Sequence, residues 1–248
     1  MLWAVGQLFV LGVALDLAFG HFVLLFSSKA SGIYVGMYVP AVGMSIPIEE
    51  ILFYGLGPTA ILLVYFWCDE FWLSRYNPQD RRLRLKSDDR LFWISRKALL
   101  VATVLIILGI VLKRIWDPLG DWIPRYFTFL VVTGALPSVF FYESVKDLVN
   151  WRALSVTVLY VLATSVIWEV TLGVPKRWWG YQAKAMLGKS IEVWSPAPDW
   201  IFPVEATLVW LAAPFASVFA YEAVKAFEYH PAPTARGRIF GYTLPRGL

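Results

Sequence analysis

Long apolar runs separated by short polar stretches dominate the chain, and each long run predicts a helix. A helix that crosses a bilayer needs roughly 20 apolar residues, and several of these runs approach or exceed that length. The predicted helices comprise residues 2–26, 46–68, 98–116, 125–146, 153–173 and 200–224. The predicted fold class is therefore all-α, a polytopic transmembrane helical bundle that forms a single membrane domain over residues 1–248.

A further uncharged stretch, residues 31–44, has only 14 residues and contains three Gly and a Pro. It is short for a span, so we interpret it as a re-entrant or interfacial segment. The expected number of helices is six, or seven if this stretch also crosses the membrane.

The composition also indicates a chain that lies in the lipid bilayer. Hydrophobic residues make up 58% of the chain and charged residues 16%, whereas soluble globular domains carry about 25% charge. The first apolar run begins at Leu2 and has no basic segment before it and no cleavage site after it, which predicts a retained helix. Cys68 is the only cysteine, so an intrachain disulfide is excluded. The net charge of +4 comes mostly from loops and does not indicate a nucleic-acid partner.

The distribution of basic residues predicts an orientation in the cell membrane. Residues 73–97 contain eight Lys and Arg, which is the strongest cytoplasmic signal in the chain. Placing this loop in the cytoplasm puts both termini there too, with the loops 27–45 and 174–199 outside. Four basic residues lie on the opposite side and depart from this bias: Lys113, Arg114, Lys176 and Arg177.

Two segments of the chain repeat the same spacing of unusual residues. Both contain P-x-E, then a Pro after eight further residues, then a Tyr after six more. The matching positions are Pro47, Glu49, Pro58 and Tyr65 in the first copy, and Pro203, Glu205, Pro214 and Tyr221 in the second. Upstream, Asp16-x-x-x-Gly20 matches Glu169-x-x-x-Gly173. We therefore predict repeat halves at 1–72 and 153–228, linked by residues 73–152.

The physical chemistry of these positions indicates a cavity. Proline at a helix start costs no hydrogen bond, and a carboxylate in the first turn is favoured by the helix dipole. Pro58 and Pro214 lie in the middle of their helices, where a proline bends the helix and frees carbonyl groups. Two intervening helices give both copies the same orientation, which predicts a parallel, pseudo-twofold arrangement about the membrane normal.

Ionisable residues within spans are costly and usually face the bundle interior or a polar cavity. The membrane-embedded or interfacial acids are Asp16, Glu49, Glu50, Glu143, Glu169, Glu205 and Glu222. Glu143 and Glu222 lie in the similar sequences YESVK and YEAVK, and we interpret both as interfacial anchors. Glu50 can also be interpreted as a first-turn charge at the outer interface. Asp16 and Glu169 can also be interpreted as buried hydrogen-bond partners of a neighbouring helix. The repeat favours a functional role for Glu49 and Glu205.

The sequence favours acid–base chemistry without a cofactor. No His, Cys and Asp set has metal-ligand spacing, no G-x-G-x-x-G motif is present, and no Ser or Cys lies in a nucleophile motif. Burial favours the protonated form of a carboxyl group, which then can protonate a C=C bond. Aromatic faces shield the resulting carbocation. The aromatic candidates are Phe53, Trp168, Trp178, Trp179, Trp194 and Trp210. Together these features predict a redox-neutral cyclase of an apolar isoprenoid.

The stretches IPIEEILFYGLGPTA (46–60) and WGYQAKAMLGKSIEVWSPAPDWIFPVEATLVW (179–210) resemble the membrane-integral lycopene cyclase family of bacteria, archaea and fungi. Pro47-Ile-Glu49-Glu50 matches the P-x-E-E/D motif of that family, and Trp179-Gly-Tyr181 with Gly188 matches its W-x-Y loop. The resemblance covers about 1–72 and 125–228. In the second copy, Ala206 follows Glu205 in place of the second acid, and the first loop lacks the Trp.

The resemblance implies a lycopene β-cyclase-like isomerase, an intramolecular lyase of carotenoid biosynthesis that forms ionone rings without a cofactor. The expected catalytic residues are Glu49 and Glu205, with Glu50 in support and Asp16 and Glu169 as further proton carriers. The expected substrate-binding residues are Phe53, Trp168, Trp179, Tyr181 and Trp210. Other interpretations stay open: another isoprenoid or meroterpenoid cyclase, a carotenoid hydratase, a non-enzymatic carotenoid- or lipid-binding subunit, or a small transporter. A homo-oligomer or a hetero-oligomer with other membrane proteins is also compatible with the sequence.

Overall fold

A computed structural model describes residues 1–26, 34–77, 96–192 and 201–228, together with one short strand pair near the C-terminus. The helices within these ranges are α1 (Leu2–Phe19), α2 (Ile48–Trp67), α3 (Arg96–Trp116), α4 (Arg125–Leu130), α5 (Leu136–Val145), α6 (Trp151–Trp168) and α7 (Val204–Glu228). A π-helical turn, Val131–Ala135, joins α4 to α5, and π-helical turns at Cys68–Trp72 and Glu169–Gly173 extend α2 and α6.

Six helical segments in the described part of the chain are long and apolar enough to cross a membrane. They are Leu2–Phe22, Ile48–Trp72, Arg96–Trp116, Arg125–Tyr142, Trp151–Gly173 and Val204–Lys225. Large apolar side chains such as Leu56, Leu100 and Leu159 are more than half exposed on the outside of the bundle, as expected where lipid is the solvent. The prediction of an all-α transmembrane bundle with six spans is confirmed, and the chain is an integral membrane protein.

The stretch 31–44, predicted as a re-entrant or interfacial segment, is not a helix where it is described. Strand β2 (Tyr38–Ala41) pairs antiparallel with β3 (Met44–Pro47), so that a hairpin leads directly into α2. Residues 27–33 lie outside the described part of the chain. The hairpin therefore places Glu49 and Glu50 in the first turn of α2, immediately after Pro47.

The loops that follow α1 and α6 pair with each other at one end of the bundle. Strand β1 (Leu24–Phe26) runs antiparallel to β4 (Trp179–Tyr181), with Leu25 opposite Gly180. Further along the second loop, β5 (Ser190–Ile191) pairs with β6 (Phe202–Pro203), which leads into α7. The remaining strands, β7 (Arg238–Ile239) and β8 (Tyr242–Thr243), pair near the C-terminus. The loop pairing brings the starts of α2 and α7 to the same end of the molecule.

Helices α2 and α7 form the centre of the bundle. Helix α2 packs against α1, α6 and α7, and α7 also packs against α1, α5 and α6. One buried apolar cluster joins these helices, with Leu62 and Tyr65 from α2, Leu154 from α6 and Phe219 from α7. A second cluster lies under the paired loops and contains Val23, Tyr126, Val174, Tyr181, Met186, Phe202 and Ala206. Helix α3 lies at the periphery and packs against α4 and α5.

Two of the basic residues that depart from the predicted charge bias have intramolecular partners. Lys113 is fully buried, and its ammonium group lies 2.7 Å from the Asp117 carboxylate. The Arg114 guanidinium lies 3.5 Å from the centre of the Trp122 ring and donates to the Pro118 carbonyl. Within the basic loop, residues 78–95 lie outside the described part of the chain. The predicted orientation in the membrane stays a prediction.

Candidate active site

A cavity of about 540 Å³ lies at the end of the bundle where the two loops pair. Its walls come from α2, α4, α6, α7 and the strands β1 and β4. The lining residues are Leu24, Phe26, Tyr34, Glu49, Glu50, Phe53, Tyr54, Tyr126, Trp168, Glu169, Trp178, Trp179, Tyr181, Val209 and Trp210. A mostly aromatic wall with a few converging polar groups is typical of a small-molecule site.

The cavity contains most of the residues that the sequence predicted for the site. The predicted substrate-binding residues Phe53, Trp168, Trp179, Tyr181 and Trp210 all line it. Glu49, Glu50 and Glu169 also line it, whereas Asp16 and Glu205 are buried and do not contribute to its wall. Trp194, another aromatic candidate, lies outside the described residues.

Glu169 is held by hydrogen bonds to both oxygens of its carboxylate. The Trp179 Nε1–H donates to Oε2 at 2.9 Å, and the Tyr181 hydroxyl donates to Oε1 at 3.0 Å. Trp179 and Tyr181 are two residues apart on β4, so their side chains point to the same side of the strand. The Trp210 indole N–H also lies near this carboxylate, but outside hydrogen-bond geometry. The W-G-Y sequence therefore places two donors on one carboxylate.

Tyr181 is fixed as a donor by its surroundings. Burial raises the pKa of its hydroxyl well above the ordinary value, and the neighbouring Glu169 carboxylate raises this pKa further. A neutral phenol next to a carboxylate donates its proton in a hydrogen bond and does not compete for the negative charge. Glu169 is accordingly an oriented hydrogen-bond acceptor.

The spacing of acid and glycine in the repeat has a steric explanation. A Cβ atom on Gly173 would lie 2.7 Å from the Trp179 ring and 3.2 Å from Glu169 Oε2. In the first copy, a Cβ atom on Gly20 would lie 2.5 Å from Asp16 Oδ1. Residues four apart lie on the same face of a helix, so the glycine makes room for the carboxylate of the residue one turn earlier. Asp16 is buried, and its Oδ2 has no hydrogen-bond partner among the described residues.

Glu49 and Glu50 are adjacent in sequence but differ in their contacts. Glu49 Oε1 accepts a hydrogen bond from the backbone N–H of Val35 at 2.5 Å. Glu50 has no hydrogen bond to the described residues, and its carboxyl group interacts electrostatically with Asp16 and Glu169. The two acids at the start of α2 therefore have different partners. Glu49 accepts a hydrogen bond from a loop, and Glu50 interacts with other carboxyl groups.

Glu205 occupies the repeat position that matches Glu49, but it does not share the cavity. It is completely buried, and its Oε1 accepts a hydrogen bond from the backbone N–H of Leu187. The buried Lys113 ammonium is close enough to interact electrostatically with it. The two matched glutamates therefore lie in different surroundings, Glu49 in the cavity wall and Glu205 away from it.

Aromatic rings form the remaining wall of the cavity. Trp168 and Trp179 stack with 5.9 Å between ring centres, and Trp178 lies edge-on to Trp168 at 5.5 Å. On the other side, Phe53 and Trp210 meet edge-on at 5.7 Å. All of these rings line the same cavity as the acids, so a charged intermediate there would lie near several aromatic faces.

Sequence reasoning missed three tyrosines of the cavity wall: Tyr34, Tyr54 and Tyr126. Tyr126 lies in α4, within the linking region and outside both repeat halves, and packs 5.9 Å from Tyr181 between ring centres. Tyr34 donates a hydrogen bond to the Trp178 carbonyl, and burial together with the carboxylates of Glu50 and Glu49 raises its pKa. Tyr54 lies four residues after Glu50, on the same face of α2, which is a signal in the sequence. The local sequences of Tyr34 and Tyr126 give no such signal.

The interpretation of Glu222 as an interfacial anchor is wrong. Its side chain is fully buried and accepts a hydrogen bond from the Tyr65 hydroxyl at 3.2 Å, with the Lys225 ammonium 3.7 Å away. The side chain of Glu143, which was interpreted in the same way, lies outside the described part of the structure. Glu222 therefore stabilises contacts between α2 and α7, far along these helices from the cavity.

We found no match to the chain among protein-family models, curated proteins or solved structures. Among the described residues, no group of three or more His, Cys, Asp and Glu side chains has a geometry that would hold a metal ion. The cavity itself offers several carboxyl groups, several phenols and several indole rings.

Proposed function

We propose that the protein is a membrane-embedded cyclase that protonates an acyclic carotenoid such as lycopene and closes an ionone ring. The observation that supports this proposal best is the cavity that combines Glu49, Glu50 and Glu169 with a wall of aromatic rings. The resemblance of the P-x-E-E and W-G-Y sequences to membrane-integral lycopene cyclases favours the same substrate class. The bilayer supplies the apolar substrate directly to the spans.

The reaction needs one proton in and one proton out. A cavity carboxyl group gives its proton to a terminal C=C bond of the polyene, which forms a tertiary carbocation. The π electrons of a neighbouring C=C bond then form the new C–C bond of the ring and move the positive charge to an adjacent carbon. Loss of a proton from the next carbon to a carboxylate forms the ring double bond. Product and substrate are isomers, so no oxidant or reductant is consumed.

The arrangement of donors around Glu169 supports its assignment as the group that accepts the proton or stabilises the cation. Both of its oxygens accept hydrogen bonds, from Trp179 and Tyr181, which orient the carboxyl group in the cavity. A carboxylate in a site with little water interacts strongly with a nearby carbocation. Trp168, Trp178 and Trp179 would add cation–π attraction on the same side.

The experiment is a conversion assay in heavy water. Purified protein in liposomes is supplied with lycopene in D₂O. The pigments are then separated by chromatography, and their masses are measured by mass spectrometry. We expect a cyclic product that carries deuterium, because the proton that starts the reaction comes from an exchangeable carboxyl group. Lycopene that is bound but recovered unchanged would contradict a cyclase and favour a carotenoid-binding protein. A hydrated acyclic product would favour a hydratase.

The predicted orientation belongs to this proposal as well. We propose that both termini and the loop 73–97 lie in the cytoplasm, which would put the cavity on the outer side of the membrane. Single cysteines placed in residues 73–97 and in the hairpin 38–47 of a Cys68→Ala variant would test this. A membrane-impermeant thiol reagent should label only the hairpin position in intact cells, and the reverse pattern would contradict the orientation.

A further inference from the structure

The two glutamates of the repeat make the same contact in different surroundings. Glu49 accepts the backbone N–H of Val35, and Glu205 accepts the backbone N–H of Leu187. In both loops the donor residue is followed by a glycine with positive φ, Gly36 at 83° and Gly188 at 96°. The local sequences Tyr-Val-Gly and Met-Leu-Gly share only this glycine. The contact therefore depends on the backbone conformation of the loop and not on the side chain of the donor residue.

In the second copy this contact lies away from the wall of the cavity. Glu205 is completely buried and lies outside the cavity wall. The loop that it holds packs closely against the end of α3, since a Cβ atom on Gly188 would lie 2.7 Å from the Asp117 Cβ. Asp117 in turn pairs with the buried Lys113. Glu205 does not line the cavity, so the feature that both copies share is the attachment of a loop to the first turn of a helix.

In the first copy the same attachment builds part of the cavity wall. Val35 follows Tyr34, whose hydroxyl donates to the carbonyl of Trp178 in the other loop. The Glu49 hydrogen bond to Val35 therefore holds Tyr34 between the start of α2 and the Trp178 segment. Loss of this bond would free the loop that carries Tyr34 on one side of the cavity.

Glu50 is the acid that the second copy does not have. Its counterpart is Ala206, which is fully buried in the second apolar cluster. Glu50 lines the cavity and faces Asp16 and Glu169, and no described residue restrains its carboxyl group by a hydrogen bond. At the position after the motif glutamate, the first copy therefore has an acid in the cavity wall and the second copy has a buried apolar residue.

We propose that Glu49 and Glu205 are positioning residues, each of which holds a loop against the start of its helix, and that Glu50 is the acid that acts on the substrate. The assignment of Glu50 rests on the proposed cyclase function, whereas the positioning role of Glu49 and Glu205 does not. This division of roles places the chemistry on the first half of the repeat only. It also differs from the expectation that Glu49 is a catalytic residue and that Glu50 supports it.

The test compares glutamine with leucine at each position. Glutamine keeps a carbonyl oxygen that accepts a backbone N–H, but it has no proton to give. We expect Glu49→Leu to lose cyclase activity and Glu49→Gln to recover it to within about tenfold of the wild type, because the neutral hydrogen bond is weaker than the charged one. We expect Glu50→Gln to lose about 100-fold or more, as removal of a general acid does. Equal losses for Glu49→Gln and Glu50→Gln, or an active Glu50→Gln, would overturn the proposal.

A second measurement does not depend on activity. Amide hydrogen exchange in detergent micelles should rise for residues 186–188 in Glu205→Leu and for residues 34–37 in Glu49→Leu, and the Gln variants should restore the wild-type exchange. Unchanged exchange in both Leu variants would overturn the positioning role. If the wild-type protein converts no carotenoid, the proposed function fails, but the exchange experiment still decides whether the two glutamates hold their loops.

Discussion

The Trp179 indole N–H lies 2.9 Å from Oε2 of Glu169, ten residues earlier in the chain. The bond joins the π-helical end of the fifth span to the strand that pairs with the other loop. Together with the Tyr181 hydroxyl on Oε1, it leaves the carboxylate with a fixed direction in the cavity. The loop that contains Trp179 and Tyr181 therefore orients the Glu169 carboxylate. The pairing of β1 with β4 holds this loop in place.

Removal of one donor to Glu169 should reduce cyclase activity without unfolding the bundle. A hydrogen bond to a charged group contributes about 1.5–3 kcal/mol, so we expect Trp179→Phe and Tyr181→Phe each to lower kcat/KM by roughly tenfold to a hundredfold. If both act through Glu169, neither substitution should add a further loss in a Glu169→Gln background. Trp67→Phe is the matched control, because Trp67 is 58% exposed on the outside of α2. Fully additive losses in the double variants would contradict an action through Glu169.

Alanine at Gly173 should damage the same site by steric overlap. Its Cβ atom would lie 2.7 and 2.9 Å from two carbons of the Trp179 ring, which closes the space that the ring needs to reach Glu169. We expect Gly173→Ala to lower the free energy of unfolding by about 1–3 kcal/mol, as overpacking typically does, and to lower activity with it. Thermal unfolding in detergent measures the first effect.

The control for this substitution is Gly6→Ala in α1, where an added Cβ atom meets no heavy atom within 4 Å. Because alanine favours a helix over glycine by about 1 kcal/mol, this variant should unfold at the wild-type temperature or above it. A Gly173→Ala protein that is as stable and active as Gly6→Ala would show that the ring does not need this space.

Lys113 should contribute more to stability than the exposed ion pair between Asp121 and Arg125. Its side chain is fully buried, and its removal leaves both Asp117 and the buried Glu205 without their nearby cation. Breaking a buried pair costs about 3–5 kcal/mol, and the partial exposure of Asp117 favours the lower end of this range for Lys113→Met. Chemical unfolding in mixed micelles gives the difference.

The pair Asp121–Arg125 is the matched comparison, since both side chains are about half exposed. Exposed pairs contribute about 0–1 kcal/mol, so Asp121→Asn should change the free energy of unfolding by no more than that. The interpretation of Lys113 as a structural cation would be wrong if Lys113→Met and Asp121→Asn were equally stable.

The spans of this protein follow from local sequence because the length of an apolar run is a local property. The six predicted helices correspond to the six apolar helices of the bundle, with ends that differ by a few residues; for example, the last span begins at Val204 instead of residue 200. The segment 31–44 was harder to interpret because the pairing of Tyr38–Ala41 with Met44–Pro47 replaces helical hydrogen bonds by a hairpin. Its Gly and Pro content signalled an irregular segment but not the strands.

The candidate site was predictable where it depends on motifs and not where it depends on packing. Glu49, Glu50 and Glu169 were found because acids are rare in apolar runs, and Trp179 and Tyr181 because they lie in the W-G-Y sequence. Tyr126 was not found, since its place in the cavity wall depends on how α4 packs beside the repeat halves. Glu205 carries the same motif as Glu49, yet its side chain is directed to a loop and to Lys113 instead of the cavity.

The sequence by itself determined that this chain spans a membrane six times and that two P-x-E segments begin corresponding helices. Both conclusions depend on local sequence alone. The first depends on the length of an apolar run, and the second on the preference of proline and carboxylates for the start of a helix. Only the tertiary structure decided which acids share a cavity. The antiparallel pairing of β1 with β4 and the packing of α4 bring Glu50, Glu169 and Tyr126 together and leave Glu205 outside. Contacts of this kind join residues that are far apart in the chain. They therefore cannot be predicted from the spacing of residues within a motif.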